Sequence, residues 1–126
     1  MNIATLKYVA DLMESIGIPY DFMNWNKDEM PECYFVGEYI ESPSLTMEES
    51  GFQETTFIIR GFTRMEEWLV LEQAKAKIEA NVAKTAILDD GTGIAVFYES
   101  ANPVPTGDAE LKSIKINLKI QEWKVK

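Results

Sequence analysis

Toward the C-terminus of the chain, Ile114, Ile116, Leu118 and Ile120 alternate with Lys115, Asn117, Lys119 and Gln121. A strict period of two sends one set to each side of an extended backbone, so residues 111–123 read as a β-strand with one dry and one wet face. Four branched aliphatics on one side need partner strands and an apolar layer laid across them. Residues 3–16 offer part of that layer. Ile3, Leu6, Val9, Ala10, Met13 and Ile16 recur at spacings of three and four, the pattern of an amphipathic helix, with Gly17 as its C-terminal cap and Pro19 barring its resumption.

The intervening chain supplies the strands. Residues 18–25 read as extended, with Tyr20, Phe22 and Trp25, and residues 24–31 as a polar loop. In a second strand over 33–40, Tyr34, Val36, Glu38 and Ile40 share one face while Phe35, Gly37 and Tyr39 share the other. Both faces carry apolar bulk, as expected of a central strand or of one whose outer face meets a partner. Residues 41–53 combine Ser42-Pro43-Ser44 with Glu48-Glu49-Ser50-Gly51 and predict a mobile acidic loop. A third strand over 54–62 places Phe57 and Ile59 opposite Ile58.

Thr63-Arg64-Met65-Glu66 fits a capping box, in which a threonine hydroxyl and a glutamate three residues on satisfy the free amides at the start of a helix. The helix so opened would run to about residue 82 with Trp68, Leu71, Ala74, Ile78 and Val82 on its dry arc, and Lys75 snorkelling out of that arc. Asp89-Asp90-Gly91-Thr92-Gly93 between strand-like runs at 85–88 and 94–98 is a hairpin signal. Residues 100–108, with Pro103 and Pro105, read as an exposed link to the last strand. The expectation is one α+β domain over residues 1–126, in the order α-β-β-β-α-β-β-β. Its antiparallel or mixed sheet has five or six strands, and both helices lie on one face.

Composition changes the picture in four ways. With 126 residues, 46% of them apolar, the chain can bury a core without disulfides or metal. No apolar run approaches the length of a spanning helix, and Lys7, Asp11 and Glu14 interrupt any secretory leader, so a cytoplasmic location without membrane contact is expected. There is no histidine, and Cys33 beside Tyr34-Phe35-Val36 reads as a small buried apolar residue rather than a nucleophile. The net charge of −9 divides unevenly. Residues 1–110 hold seven basic against twenty acidic residues, and residues 111–126 hold five against Glu122 alone. An acidic body disfavours general binding to nucleic-acid phosphates, and an acidic body with a basic strand permits head-to-tail self-association.

Motifs that carry chemistry are weak throughout. Asp89-Asp90-Gly91 lacks the alternating acids and closing glutamate of a calcium loop, and Gly91-Thr92-Gly93 lacks the third glycine of a dinucleotide fingerprint. Glu38, Glu48, Glu49 and Glu54 could converge as paired carboxylates if the second and third strands are neighbours, yet acid pairs on a mobile loop are ordinarily just solvated. No catalytic residue, cofactor or metal ligand is expected. The candidate interface consists of Lys115 and Lys119 on the wet face of the last strand, with Tyr39 and Trp123 as aromatic anchors. Trp123 breaks an otherwise polar face, which suits either an interface anchor or edge packing.

The whole layout resembles the small tail terminator and head-tail joining proteins of long-tailed bacteriophages and prophages. The shared features begin with the short N-terminal amphipathic helix, the extended Ile18-Pro19-Tyr20, and the strand Tyr34-Phe35-Val36-Gly37-Glu38 ahead of an acidic loop. Thr56-Phe57-Ile58-Ile59-Arg60-Gly61 leading to Leu71-Glu72-Gln73-Ala74-Lys75, a hairpin, and a closing strand ending at Glu122-Trp123 complete them. The resemblance covers nearly the whole chain and implies a non-enzymatic α/β subunit that assembles as a ring, typically a hexamer. Such a ring caps the tail tube and faces the head completion or connector protein. It acts in the cytoplasm of the bacterial host during assembly and then in the virion tail. Two rival readings accompany it: a small ligand-binding or enzymatic domain with a pocket between sheet and helices, and an acidic mimic that blocks a DNA-binding protein.

Overall fold

The computed structural model describes residues 1–41, 51–64 and 68–124. Helix α1 spans Ile3–Ser15, followed by β1 at Tyr20–Phe22, β2 at Cys33–Glu41 and β3 at Gln53–Thr63. Helix α2 spans Leu69–Val82, and β4 at Thr85–Ile87, β5 at Thr92–Val104 and β6 at Lys112–Lys124 close the chain. The fold is α+β, with the expected element order. The six strands form one mixed sheet in the order β1-β2-β3-β6-β5-β4, with β1 parallel to β2 and every other pair antiparallel.

Helix α1 begins where the Asn2 side chain accepts the Ala4 amide at 2.9 Å. It stops because Gly17 takes a φ of +75°, which lets its amide and that of Ile18 turn back onto the carbonyls of Glu14 and Met13. The dry face of β6 is as the alternation predicts: Ile114, Ile116, Leu118 and Ile120 are at most 1% exposed. In register beside them lie Ile59 and Phe57 of β3 and Val96 of β5. Val9 and Met13 of α1 and Leu71, Ile78 and Val82 of α2 join the same apolar cluster, so both helices cover one face of the sheet. Each such side chain contributes roughly 1.5–3 kcal/mol on leaving water, and that sum holds the layers together.

Three expectations are corrected. Thr63 opens no helix: it is the last residue of β3, and its hydroxyl donates to the Glu32 carbonyl at 2.8 Å. Helix α2 starts at Leu69 without a side-chain cap, and Trp68 stands just ahead of it, 41% exposed rather than in the core. The proline-containing link is shorter than expected, because β5 continues to Val104. Proline is tolerated there for a geometric reason. The Val96 amide points to the outer edge, toward the Lys84 carbonyl, and after the irregularity between Tyr98 and Ser100 the same edge receives the nitrogen of Pro103. Strand β4 pairs only with Gly93, Ile94 and Ala95, so Pro103 has no neighbour awaiting a proton. The acidic loop expected over 41–53 falls mostly outside the described residues; Glu41 ends β2 and Gln53 begins β3.

Aromatic rings lie across two strand glycines of the buried face. The Tyr20 side chain crosses Gly37 and the Phe35 ring crosses Gly61, so that a β-carbon at either glycine would overlap them. The Tyr20 hydroxyl is held well above the ordinary phenol range, first by burial and then by the adjacent Asp21 charge. Because Phe35 is fully buried and cannot swing away, Gly61→Ala is expected to cost about 2 kcal/mol, as overpacking does. Urea denaturation of the variant checks this, and an unchanged midpoint would contradict the packing.

Candidate interaction surface

Helices on one side leave the other side of the sheet to be defined by the alternate residues of each strand. Register sets them in rows. Tyr34 of β2 stands beside Phe62 of β3 and Ser113 of β6, and the next row is Val36, Arg60, Lys115 and Asn102. Two rows further along lie Ile40, Thr56, Lys119 and Phe97, and at the far end Ile87, Gly93 and Trp123. This face mixes charges with large apolar groups left in water: Ile40 is 62% exposed, Phe97 47% and Ile87 69%.

The parallel pairing of β1 with β2 adds a structure that antiparallel neighbours would not. A parallel connection must cross a face of the sheet, and residues 23–32 cross the open one. The turn into it is tight. Met23 has a φ of 67°, its amide donates to the Gly37 carbonyl, and Asn24 donates back to Phe22 at 2.8 Å. A side chain other than glycine rarely adopts that backbone angle. Asp21 then accepts the Asn26 amide at 2.8 Å, and the Trp25 indole donates to the Glu29 carbonyl at 2.9 Å. The loop is thereby shaped so that Trp25 meets Tyr34 at 5.3 Å between ring centres, while Tyr34 stacks on Phe62 at 5.4 Å. Lys27 sits 5.1 Å above the Trp25 ring. Met23, Trp25, Tyr34, Val36 and Phe62 line a cleft of about 310 Å³ with Glu38 and Arg60 at its rim.

The charges on this face are not equally satisfied. Arg60 pairs with Glu38 at 2.8 Å, and Lys119 lies between Glu99 at 3.3 Å and Glu54 at 3.5 Å. Those two carboxylates, Glu99 first, raise the Lys119 ammonium above its ordinary pKa. Lys115 forms no ion pair with any described residue and stands directly across from Arg60, a like-charge neighbour. Of the residues expected at an interface, Lys115, Lys119 and Trp123 share the open face of β6, and Trp123 lies across Gly93 as edge packing would have it. Tyr39 is on the opposite face, partly buried against the core and stacked on Phe22 at 6.0 Å, because odd positions of β2 face the helices. Glu38 and Glu54 do not converge: each is taken by its own cation, and Glu48 and Glu49 lie outside the described residues. Cys33 is half-buried, and burial raises its thiol pKa.

A second polar cluster ties the start of α1 to the sheet. Glu122, only 3% exposed, accepts from the Asn2 amide at 3.1 Å and from the Thr5 hydroxyl at 2.6 Å. Its carboxylate meets the positive end of the helix, where a negative charge is favoured. The Asn2 side chain donates to Asp90 at 2.9 Å and to Thr92 at 2.7 Å. The sequence pattern hid this role, since Glu122 reads there as the lone acid of a basic strand.

No family model matches the chain, and no curated protein matches its sequence.

The Asp90 carboxyl is held below its ordinary pKa, chiefly by the Thr92 amide, then by the Thr92 hydroxyl and the Asn2 side chain. A depressed folded-state pKa contributes stability that is present above the unfolded value and is lost as pH falls through the folded value. Asn2→Ala should therefore move Asp90 upward, toward an ordinary carboxylate, as read by carbon-detected NMR titration. An unmoved Asp90 would contradict the contact.

Proposed function

We propose that this chain is a structural subunit of the tail of a long-tailed bacteriophage or prophage. In this reading it assembles as a ring that caps the finished tail tube and presents a surface to the head completion complex, and it acts by binding rather than by catalysis. The subunit assembles in the host cytoplasm and remains in the virion tail. The order of elements supports the reading through the resemblance, which also supplies the hexamer. The observation that carries it is the helix-free sheet face, where Ile40, Phe97 and Ile87 stand in water among charges while both helices occupy the other side. Taken with the aromatic cleft of Trp25, Tyr34 and Phe62 on the same face, these exposed apolar groups support a surface that meets protein.

The space between sheet and helices argues against the small-ligand rival. Met13, Phe35, Phe57, Ile59, Leu71 and Ile78 fill it, all fully buried. Heterologous contacts that close make a ring, and weak ones are strengthened by a multivalent template such as a tube end.

Purified protein mixed with tail tubes should cap their ends, visible by electron microscopy as tubes of fixed length that no longer add subunits. Lys115→Glu should weaken subunit association about tenfold or more at low salt. Lys119→Glu should weaken it less, because Lys119 is already held by Glu54 and Glu99. Tubes that keep growing in the presence of the parent protein would sink the capping reading; equal effects of the two substitutions would sink only the choice of contact.

A further inference from the structure

Strand β4 ends the sheet, and short as it is, its outer edge carries neither the proline nor the irregularity found on the edge of β5. The Val96 amide donates to the Lys84 carbonyl and the Leu88 amide to the Thr92 carbonyl, with Ala86 opposite Ile94 between them. Even positions of β4 therefore turn their backbone groups toward β5, and Thr85 and Ile87 turn theirs outward. No described residue meets those outward groups, and both side chains are exposed, Ile87 at 69%.

Helix α1 stands beside that edge. Ala86, Leu88 and Tyr8 pack against the core, and Ala4, Lys7, Tyr8 and Asp11 of α1 face residues 86–90 across an open cleft of about 440 Å³. An edge strand with a helix alongside is an arrangement in which an extended peptide adds as a further strand, its backbone bonded to the edge and alternate side chains set into the cleft. The charge of the cleft selects the occupant. Lys7 stands against Asp11, Asp89 and Asp90. Asp90 is held by Asn2 and Thr92, whereas Asp11 and Asp89 are exposed and form no ion pair with any described residue. Two unpaired carboxylates beside a free edge suit an extended segment that carries Lys or Arg, and Ile87 suits a β-branched neighbour on that segment.

We propose that the β4 edge and helix α1 form a groove that binds an extended basic peptide of a partner protein, which adds to the sheet beyond β4. Its backbone bonds to Thr85 and Ile87, a β-branched side chain lies beside Ile87, and small side chains pack against Ala4 and Tyr8. Its Lys or Arg side chains reach Asp11 and Asp89. This contact does not depend on the ring, because free backbone groups and α1 make the groove rather than the open face.

The test selects random peptides of about nine residues, long enough for one strand, on the intact chain and follows the enriched ones, made synthetically, by amide NMR. Enriched peptides are expected to carry Lys or Arg among β-branched residues, to shift the Thr85, Ile87 and Tyr8 amides saturably, and to slow exchange at Thr85 and Ile87. Asp89→Lys should weaken binding at least about tenfold at low salt and less at high salt. Ile87→Pro removes an outward proton and should abolish binding. A second measurement leaves the protein unaltered: methylating alternate backbone nitrogens of the peptide should cost at least about tenfold in one phase of the alternation and far less in the other. Acidic or neutral enriched peptides, shifts confined to other surfaces, no enrichment, an Asp89→Lys protein that binds as the parent does, or equal tolerance of both methylation phases each overturn the proposal. So do Thr85 and Ile87 shifts that appear on raising the protein concentration alone, which would make this edge a contact between copies of the chain.

Discussion

One-sided burial of the sheet governs the rest of this structure. The row Ile114, Ile116, Leu118 and Ile120 lies in the middle of six strands, and eleven register pairs lock β6 to β3. A slip of one residue in that ladder would turn the whole row into water and bring Lys115 and Lys119 under the helices, so the register is strongly specified. Once it is set, the faces of β2 and β5 follow through their own pairings, and α1 and α2 have only one side on which to bury Val9, Met13, Leu71 and Ile78. The open face is a consequence of the same constraint: what the helices do not cover is left to charges, to half-buried aromatics, and to Ile40, Phe97 and Ile87.

The two ends of the sheet are finished by different means. At the β4 edge, the turn at Gly91, whose φ is +87°, and the Asn2 bonds to Asp90 and Thr92 fasten hairpin and helix start together, with buried Glu122 as the common anchor. A carboxylate is tolerated at 3% exposure because both of its donors belong to the first turn of a helix, whose dipole favours it. At the β1 edge, a short parallel strand sends the chain back across the open face, and that crossing rather than any core residue builds the aromatic cleft. The long free edge of β5 carries an irregularity and Pro103, both of which discourage another strand from adding there. Contact with other proteins is thereby directed to the open face rather than to that edge.

Much of the architecture was legible in the order of residues, because burial on one side of a strand or helix writes its own period. The alternation in β6, the spacing in α1, the Asp-Gly turn and the count of elements all follow from that rule, as does the assignment of Phe57 and Ile59 to one side and Ile58 to the other. The start of α2 was misread. A threonine and a glutamate three apart satisfy the local signal for a cap, yet Thr63 is claimed by the Glu32 carbonyl in a neighbouring segment, and Trp68 is left 41% exposed. Residues 100–108, with two prolines, read as an exposed link; only the sheet order shows that the nitrogen of Pro103 meets a free edge of β5.

The interaction surface was legible in part. Alternation alone places Lys115, Lys119 and Trp123 together, since they share parity on one strand. Parity within single strands cannot say which face of β2 joins which face of β6, and so Tyr39 was grouped with them although the pairing puts it with Phe57 and Leu118 under the helices. Nor does local sequence reveal that Trp25, Tyr34, Phe62 and Arg60 meet, because their proximity requires a parallel β1, a crossing on the open side and the register of β2 with β3. The sequence by itself determined which residues seek the interior, through the cost of leaving branched aliphatics in water. The tertiary structure alone decided which of the others become neighbours, because that depends on pairings between segments far apart in the chain, and these are set by the packing of the whole core.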